Sequence, residues 1–129
     1  CRRAEEAVDP LGVPRSLYTN PEVASFGLSK EEAEQAGYDV LVEQLPFSYN
    51  GRAIAIGETE GYVKLISEKK YHLLLGAVIV GPNGTDLLQN LILLRQAEAT
   101  LDQVLETVFA HPTTSELIQE VAKRLVQDD

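Results

Sequence analysis

Hydrophobic residues recur along this chain with two periods, first one typical of strands and later one typical of helices. Short apolar runs separated by turn residues predict extended segments at residues 15–19, 23–27, 39–47, 61–67 and 72–80. Apolar residues at three- and four-residue spacing predict helices at residues 86–97, 101–107 and 114–126. Strands in one run and helices in another are typical of an α+β domain. We therefore predict a mostly antiparallel sheet of about five strands with helices packed on one side.

Local signals refine this outline. Residues 72–80 are apolar on both faces, which predicts a central strand joined to residues 61–67 by a charged hairpin turn at 68–70. The Asn-Gly pair at 50–51 predicts a turn, and we expect residues 52–57 to continue as a loop or short extension. Two capping boxes predict the starts of short helices: Ser29 with Glu32, and Thr100 with Gln103.

Composition limits the classes of function. The chain has 129 residues, a net charge of −9 and a pI near 4.6, so nucleic acid and anionic membranes are poor partners. The one cysteine, Cys1, cannot build a disulfide framework, a metal site or a redox dithiol. No apolar run has the length of a membrane span, and the first residues lack the apolar core of a signal peptide. We expect a cytoplasmic protein without a bound metal.

The start of the chain differs in character from the rest. Residues 2–8 have the composition of a helix end, and two prolines and a glycine between residues 9 and 14 argue against any regular element there. We therefore expect residues 1–12 to be a linker or a helix remnant from an upstream domain, and residues 13–129 to form one domain.

Candidate chemistry is concentrated in one octapeptide, residues 109–116, directly before the last apolar helix. His111 precedes Glu116 by five residues, and a histidine with a carboxylate partner can act as a general base near neutral pH. Pro112 stiffens the backbone between them. A structural interpretation is equally consistent with the pattern, because Thr113 and Glu116 have the spacing of a capping box. A lone histidine is also more often packed or solvated than catalytic.

Two other motifs carry less chemistry. His72 stands alone at a predicted strand end, and we expect it to be exposed. The glycine-rich segment at residues 81–84 precedes a helix, but it lacks the Lys-Ser/Thr of a phosphate-binding loop and is typical of a strand-to-helix turn.

Several segments, taken in order, resemble one known family. They are Val13–Gly27, with its Thr-x-Pro-Glu-Val-Ala pattern, Asn50–Ala53, Thr59–Lys64, Leu75–Pro82 and His111–Glu116. Together they resemble the C-terminal dimerisation (interface) domain of the pyridine nucleotide-disulfide oxidoreductases, over about residues 13–126. Within that family the similarity is greatest to the dihydrolipoamide dehydrogenase branch.

The resemblance implies roles for named residues. It implies that His111 is the acid–base residue for a dithiol substrate, that Glu116 orients it, and that the His111–Pro112 peptide is cis. It further implies that His111 and Pro112 lie near the FAD of the opposite subunit of a homodimer. FAD and NAD(P) are then cofactors of a full-length enzyme, and this chain alone is expected to bind neither and to be inactive.

Departures from the family pattern leave alternatives open. Phe109 and Asn20 stand where many members carry histidine, so the substrate remains open between dihydrolipoamide and other dithiols or disulfides. The chain has no redox-active cysteine pair and no glycine fingerprint for FAD or NAD(P). A glutathione reductase-like or mercuric reductase-like domain is one alternative. A stand-alone, non-catalytic dimerisation or interaction module, in which Glu116 is only a helix cap, is another.

Overall fold

The computed structural model describes residues 9–127, so the predicted helix end at residues 2–8 lies outside the described residues. Within this range, five strands form one sheet: β1 (Arg15–Leu17), β2 (Glu22–Gly27), β3 (Val40–Pro46), β4 (Tyr62–Glu68) and β5 (Leu74–Gly81). Their order across the sheet is β1-β2-β5-β4-β3, and all neighbours are antiparallel. The strand predicted to be central, β5, lies in the middle.

Five helices join and cover these strands: α1 (Lys30–Gln35), α2 (Gly51–Ala55), α3 (Gly84–Gln96), α4 (Leu101–Glu106) and α5 (Glu116–Gln127). Both predicted capping boxes lie at helix starts. Ser29 Oγ accepts the backbone N–H of Glu32 at 3.2 Å, and the side chain of Gln103 accepts the backbone N–H of Thr100 at 2.8 Å. None of the helices within residues 9–127 has the length and apolar character needed to cross a membrane.

The main core lies between one face of the sheet and helices α2 to α5. Successive side chains of a strand point to opposite faces, so the inward positions of the strands form one apolar layer. That layer and its helix partners include Phe26, Val63, Leu65, Ile79, Leu88, Leu91, Leu117 and Val121. The predicted fold class is confirmed. Helix α1 is the exception to helices on one side, because its Ala33 packs with Ile66 and Leu75 in a small cluster on the other face of the sheet.

Two segments differ from the local predictions. Residues 51–55 form helix α2 rather than a loop, because the side chain of Asn50 accepts the backbone N–H of Ala53 at 2.9 Å and caps the helix. An Asn-Gly pair is also a frequent hairpin turn, so its spacing alone does not separate the two outcomes. Near the start of the described range, Pro10–Gly12 form a 3₁₀ turn where no regular element was expected.

The turn between β4 and β5 is held by one carboxylate. Glu68 is buried, and its side chain accepts the backbone N–H groups of Lys70, Tyr71 and Leu73. Three backbone N–H groups of the turn thereby have an acceptor, and the carboxylate is hydrogen-bonded although it is removed from water. The predicted charged hairpin is therefore a structured turn, and it brings the following residue, His72, toward α4.

Candidate functional site

The octapeptide forms a tight loop between α4 and α5. The peptide bond between His111 and Pro112 is cis, as the family resemblance led us to expect. Thr113 Oγ1 donates to the carbonyl oxygen of Ala110 at 2.7 Å and lies 2.8 Å from Ser115 Oγ. These short local bonds give the loop a defined shape, from which the His111 side chain extends.

His111 and Glu116 contact each other directly. Nδ1 of His111 lies 2.9 Å from Oε1 of Glu116, and the side chains are 80% and 27% exposed, respectively. The second carboxylate oxygen, Oε2, accepts the backbone N–H of Thr113 at 3.0 Å. Half of the predicted capping box is therefore present, because Oε2 accepts the Thr113 N–H while Oε1 contacts the histidine. The other half is absent, since α5 begins at Glu116 and Thr113 Oγ1 donates to Ala110 instead of accepting a helix N–H.

The charge state of Glu116 follows from these contacts. The hydrogen bond from the Thr113 backbone, and secondly that from His111, hold the pKa of the Glu116 carboxyl below its usual value of 4.5. A charged carboxylate only accepts hydrogen bonds, so Nδ1 of His111 must carry the proton of this contact. In the neutral ring, Nε2 is then the free acceptor, and within residues 9–127 it has no hydrogen-bond partner.

The loop is also tied to a distant part of the sequence. Nδ2 of Asn50 donates to the carbonyl oxygen of Thr113 at 3.0 Å, across 63 residues of chain, and Asn50 is only 5% exposed. On the other side, Nε2 of Gln119 donates to the carbonyl oxygens of Val104 at 3.2 Å and Thr107 at 2.9 Å, at the end of α4. Neither Asn50 nor Gln119 was predicted as a site residue, since their contacts join residues that are distant in sequence.

A second histidine–carboxylate pair was also missed. His72 has a φ of 56°, and its Nδ1 lies 2.9 Å from Oδ2 of Asp102. Its side chain is 16% exposed, so the expectation of an exposed strand-end residue is wrong. The backbone supports the same link, because the carbonyl of His72 accepts the N–H of Leu101. This pair joins the hairpin turn to the start of α4, and its histidine is much less accessible than His111.

An apolar groove adjoins the loop on the side of α3 and α4. It has a volume of about 390 Å³ and is lined by Leu91, Leu94, Val104, Phe109 and Ala110, among others. Val108, which also lines it, is 95% exposed. Within the described part of the chain, no group of three or more histidine, cysteine, aspartate or glutamate side chains could hold a metal ion.

The predicted strand-to-helix turn at residues 81–84 is present. Asn83 adopts a left-handed conformation with a φ of 55°, and α3 begins at Gly84. A Cβ on Gly84 would lie 3.3 Å from the carbonyl oxygen of Ile79, so the start of α3 packs closely on β5.

Known proteins with similar sequences include dihydrolipoyl dehydrogenases. That of Geobacillus stearothermophilus is 38% identical over 117 residues, which are 91% of this chain and 25% of that protein. That of Rhizobium etli is 44% identical over 108 residues, 84% of this chain and 22% of that protein. The chain thus spans about a quarter of the length of these relatives.

Solved structures show the same fold within longer proteins. LpdA from Mycobacterium tuberculosis matches 93% of this chain and 26% of its own, with a TM-score of 0.86 and 24% identity. The HOCl-induced flavoprotein disulfide reductase RclA from Escherichia coli matches 86% of this chain and 26% of its own, with a TM-score of 0.82 and 25% identity. Residues 13–122 match the pyridine nucleotide-disulphide oxidoreductase dimerisation domain, and the chain belongs to that family.

Proposed function

We propose that this chain is the dimerisation domain of a dihydrolipoyl dehydrogenase-type disulfide oxidoreductase, and that His111 and Glu116 are its contribution to catalysis. The observation that carries the proposal is the exposed imidazole of His111, fixed on one side by Glu116 Oε1 at 2.9 Å. His72, in contrast, is 16% exposed and links the hairpin turn to the start of α4. The Nε2 atom of His111 is instead free to contact a substrate or a partner subunit beside the loop.

The proposed step is a proton transfer at Nε2. A thiolate, not a thiol, attacks a disulfide, so a base that takes the proton of a dithiol substrate promotes the exchange. When Nε2 accepts that proton the imidazole becomes a cation, and the charged carboxylate of Glu116 stabilises it through Nδ1. Glu116 also keeps the ring in the tautomer that leaves Nε2 free. The same pair returns the proton in the reverse direction.

The proposal includes cofactors that other parts of an enzyme would hold. FAD and NAD(P) would supply the redox chemistry when bound. The loop at His111 and Pro112 is exposed and offers one imidazole edge, so it fits a group held by another polypeptide but could not enclose one itself. We therefore assign to this chain the handling of a proton, and to His111 and Pro112 a place beside the flavin of a partner subunit.

A homodimer is part of the same proposal. The dimerisation-domain family implies formation of an oligomer. The apolar groove beside the loop supports an assembly in which this surface is covered, because Val108, which lines it, is 95% exposed and stands three residues before His111. In such a dimer the proton-transfer pair of one subunit would serve the active site of the other.

The test is the turnover of dihydrolipoamide by the complete reductase that contains this domain. His111→Gln should reduce kcat by about 10²- to 10⁴-fold, since it removes an acid–base group. His72→Gln is the matched control, because it alters the other histidine–carboxylate pair, and it should leave kcat close to that of the wild type. Near-normal turnover by His111→Gln would refute the catalytic role and favour a dimerisation module in which Glu116 is only a cap.

A further inference from the structure

We propose that Asn50 is a positioning residue for the His111–Glu116 pair and acts through the backbone of Thr113. This inference rests on the proposed function for its catalytic meaning, although the physical link is a property of this chain alone. Asn50 makes no hydrogen bond to His111 or to Glu116. Its effect passes through one residue, Thr113, whose carbonyl and N–H groups face different partners.

Thr113 is held from both sides. Its carbonyl oxygen accepts Nδ2 of Asn50 at 3.0 Å, and its N–H donates to Oε2 of Glu116 at 3.0 Å. The second bond orients the carboxylate whose other oxygen contacts His111. A shift of the Thr113 backbone would therefore move Glu116 and, with it, the partner of the imidazole.

The amide of Asn50 is itself fixed. Its Oδ1 accepts the N–H of Ala53 at 2.9 Å, so one end of the amide caps α2 while the other holds the loop. Asn50 is 5% exposed, and its backbone N–H donates to the carbonyl oxygen of Phe47. Phe47 is itself fully buried. The position requires an acceptor on one side and a donor on the other, with little room to rotate. A neutral amide of this length satisfies both.

This arrangement connects the loop to the core of the sheet. Phe47 directly follows the end of β3, so a rigid element reaches the loop through Asn50 and Thr113. A catalytic side chain on a loop needs such support, because small displacements of reacting groups lower rates strongly. Hydrogen bonds within the octapeptide determine the conformation of the loop, and Asn50 fixes the position of the loop relative to the sheet.

Two substitutions separate the helix cap that Asn50 provides from its hydrogen bond to Thr113. Asn50→Ser keeps an acceptor for Ala53 but is too short to reach Thr113 as well, and Asn50→Gly keeps a tolerated cap residue without any donor. Ser29→Gly is the matched control, because it removes the cap of α1 on the opposite face of the sheet. The measurement is NMR of the 129-residue chain, following the titration of the Glu116 carboxyl carbon and the exchange of the Thr113 amide.

In both Asn50 variants we expect the Glu116 carboxyl to titrate closer to its usual pKa of 4.5 and the Thr113 amide to exchange about tenfold faster. Ser29→Gly should change neither. Wild-type values for both in a folded Asn50 variant would overturn the proposal. If one Asn50 variant does not fold, the other decides, and unfolding of both with Ser29→Gly folded would show a structural role and also overturn it.

Turnover distinguishes this inference from the proposed function. In the complete reductase, Asn50→Ser should lower kcat about tenfold with little change in KM, a smaller loss than that of His111→Gln. A severe loss in His111→Gln with no loss in Asn50→Ser would refute the positioning role and leave the proposed function intact. No loss in His111→Gln would refute the proposed function, whatever NMR shows for Asn50.

Discussion

At Gly76 the addition of one methyl group should damage the fold directly, because the new atom would meet backbone rather than a flexible side chain. Gly76 lies in the central strand β5 opposite Gly27 of β2. A Cβ at Gly76 would stand 2.1 Å from the carbonyl oxygen of Leu28 and 2.9 Å from its nitrogen, whereas ordinary contacts begin near 3.4 Å. The backbone of Leu28 cannot yield freely, because its N–H donates to the carbonyl of Leu75 at 3.0 Å.

The magnitude follows from what must move. Relief of the clash in Gly76→Ala requires the backbone at Leu28 to move by more than about 1 Å, which breaks the bond to Leu75 and strains the end of the β2–β5 pairing. Loss of a buried backbone bond costs about 1–3 kcal/mol, and overpacking of a well-packed site costs a similar amount. We expect the free energy of unfolding to fall by about 3 kcal/mol, and the Tm to fall by roughly 10 °C.

Thermal and urea unfolding of the 129-residue chain, followed by circular dichroism, would measure this loss. The matched control is Gly51→Ala, in which the same methyl group meets no atom within 4 Å at the start of helix α2. There, alanine should stabilise the chain by about 0.5 kcal/mol, because it reduces the conformational freedom of the unfolded state. Equal effects of the two substitutions, or a loss below about 1 kcal/mol for Gly76→Ala, would refute the steric argument.

Two further predictions concern the His111 loop and the end of helix α4 before it. The folded pKa of Glu116 lies below its usual 4.5, so its stabilisation is fully present above that value and is lost as the pH falls through the folded pKa. Glu116→Gln should make unfolding less dependent on pH in this acidic range, and an unchanged acid profile would contradict the bond to Thr113. Gln119→Ala frees two carbonyls at the end of α4 and should lower the free energy of unfolding by about 1–2 kcal/mol. Gln89→Ala is the control, because Gln89 is exposed and its loss should have no measurable effect. Equal Tm values for the two variants would contradict a stabilising role of the Gln119 hydrogen bonds to α4.

Local periodicity was sufficient to predict most of the fold. The five strands, the central position of residues 72–80 and the capping boxes all depend on residues close together in sequence, where spacing translates directly into geometry. The contact between His111 and Glu116 belongs to the same class. Five residues separate them across one tight loop, so the sequence could indicate that they meet.

Most of the errors and omissions lie where the deciding contact is distant in sequence, and one has a local cause. The helix at residues 51–55 and the hairpin turn share the Asn-Gly signal, and the side chain of Asn50 decides between them by bonding forward to Ala53. His72 was predicted to be exposed, because its partner, Asp102, lies 30 residues away in the sequence. The helix α1 has the expected cap, but only packing against Ile66 shows that it lies on the other face of the sheet.

The sequence by itself determined the α+β class, the family and the pair of side chains most suited to proton transfer. The tertiary structure decided that Glu116 serves the loop and the histidine together, that His111 faces outward while His72 is enclosed, and that Asn50 holds Thr113 across 63 residues. The physical reason is that periodicity and capping are local, whereas exposure and long-range hydrogen bonds exist only after the sheet and its helices have packed.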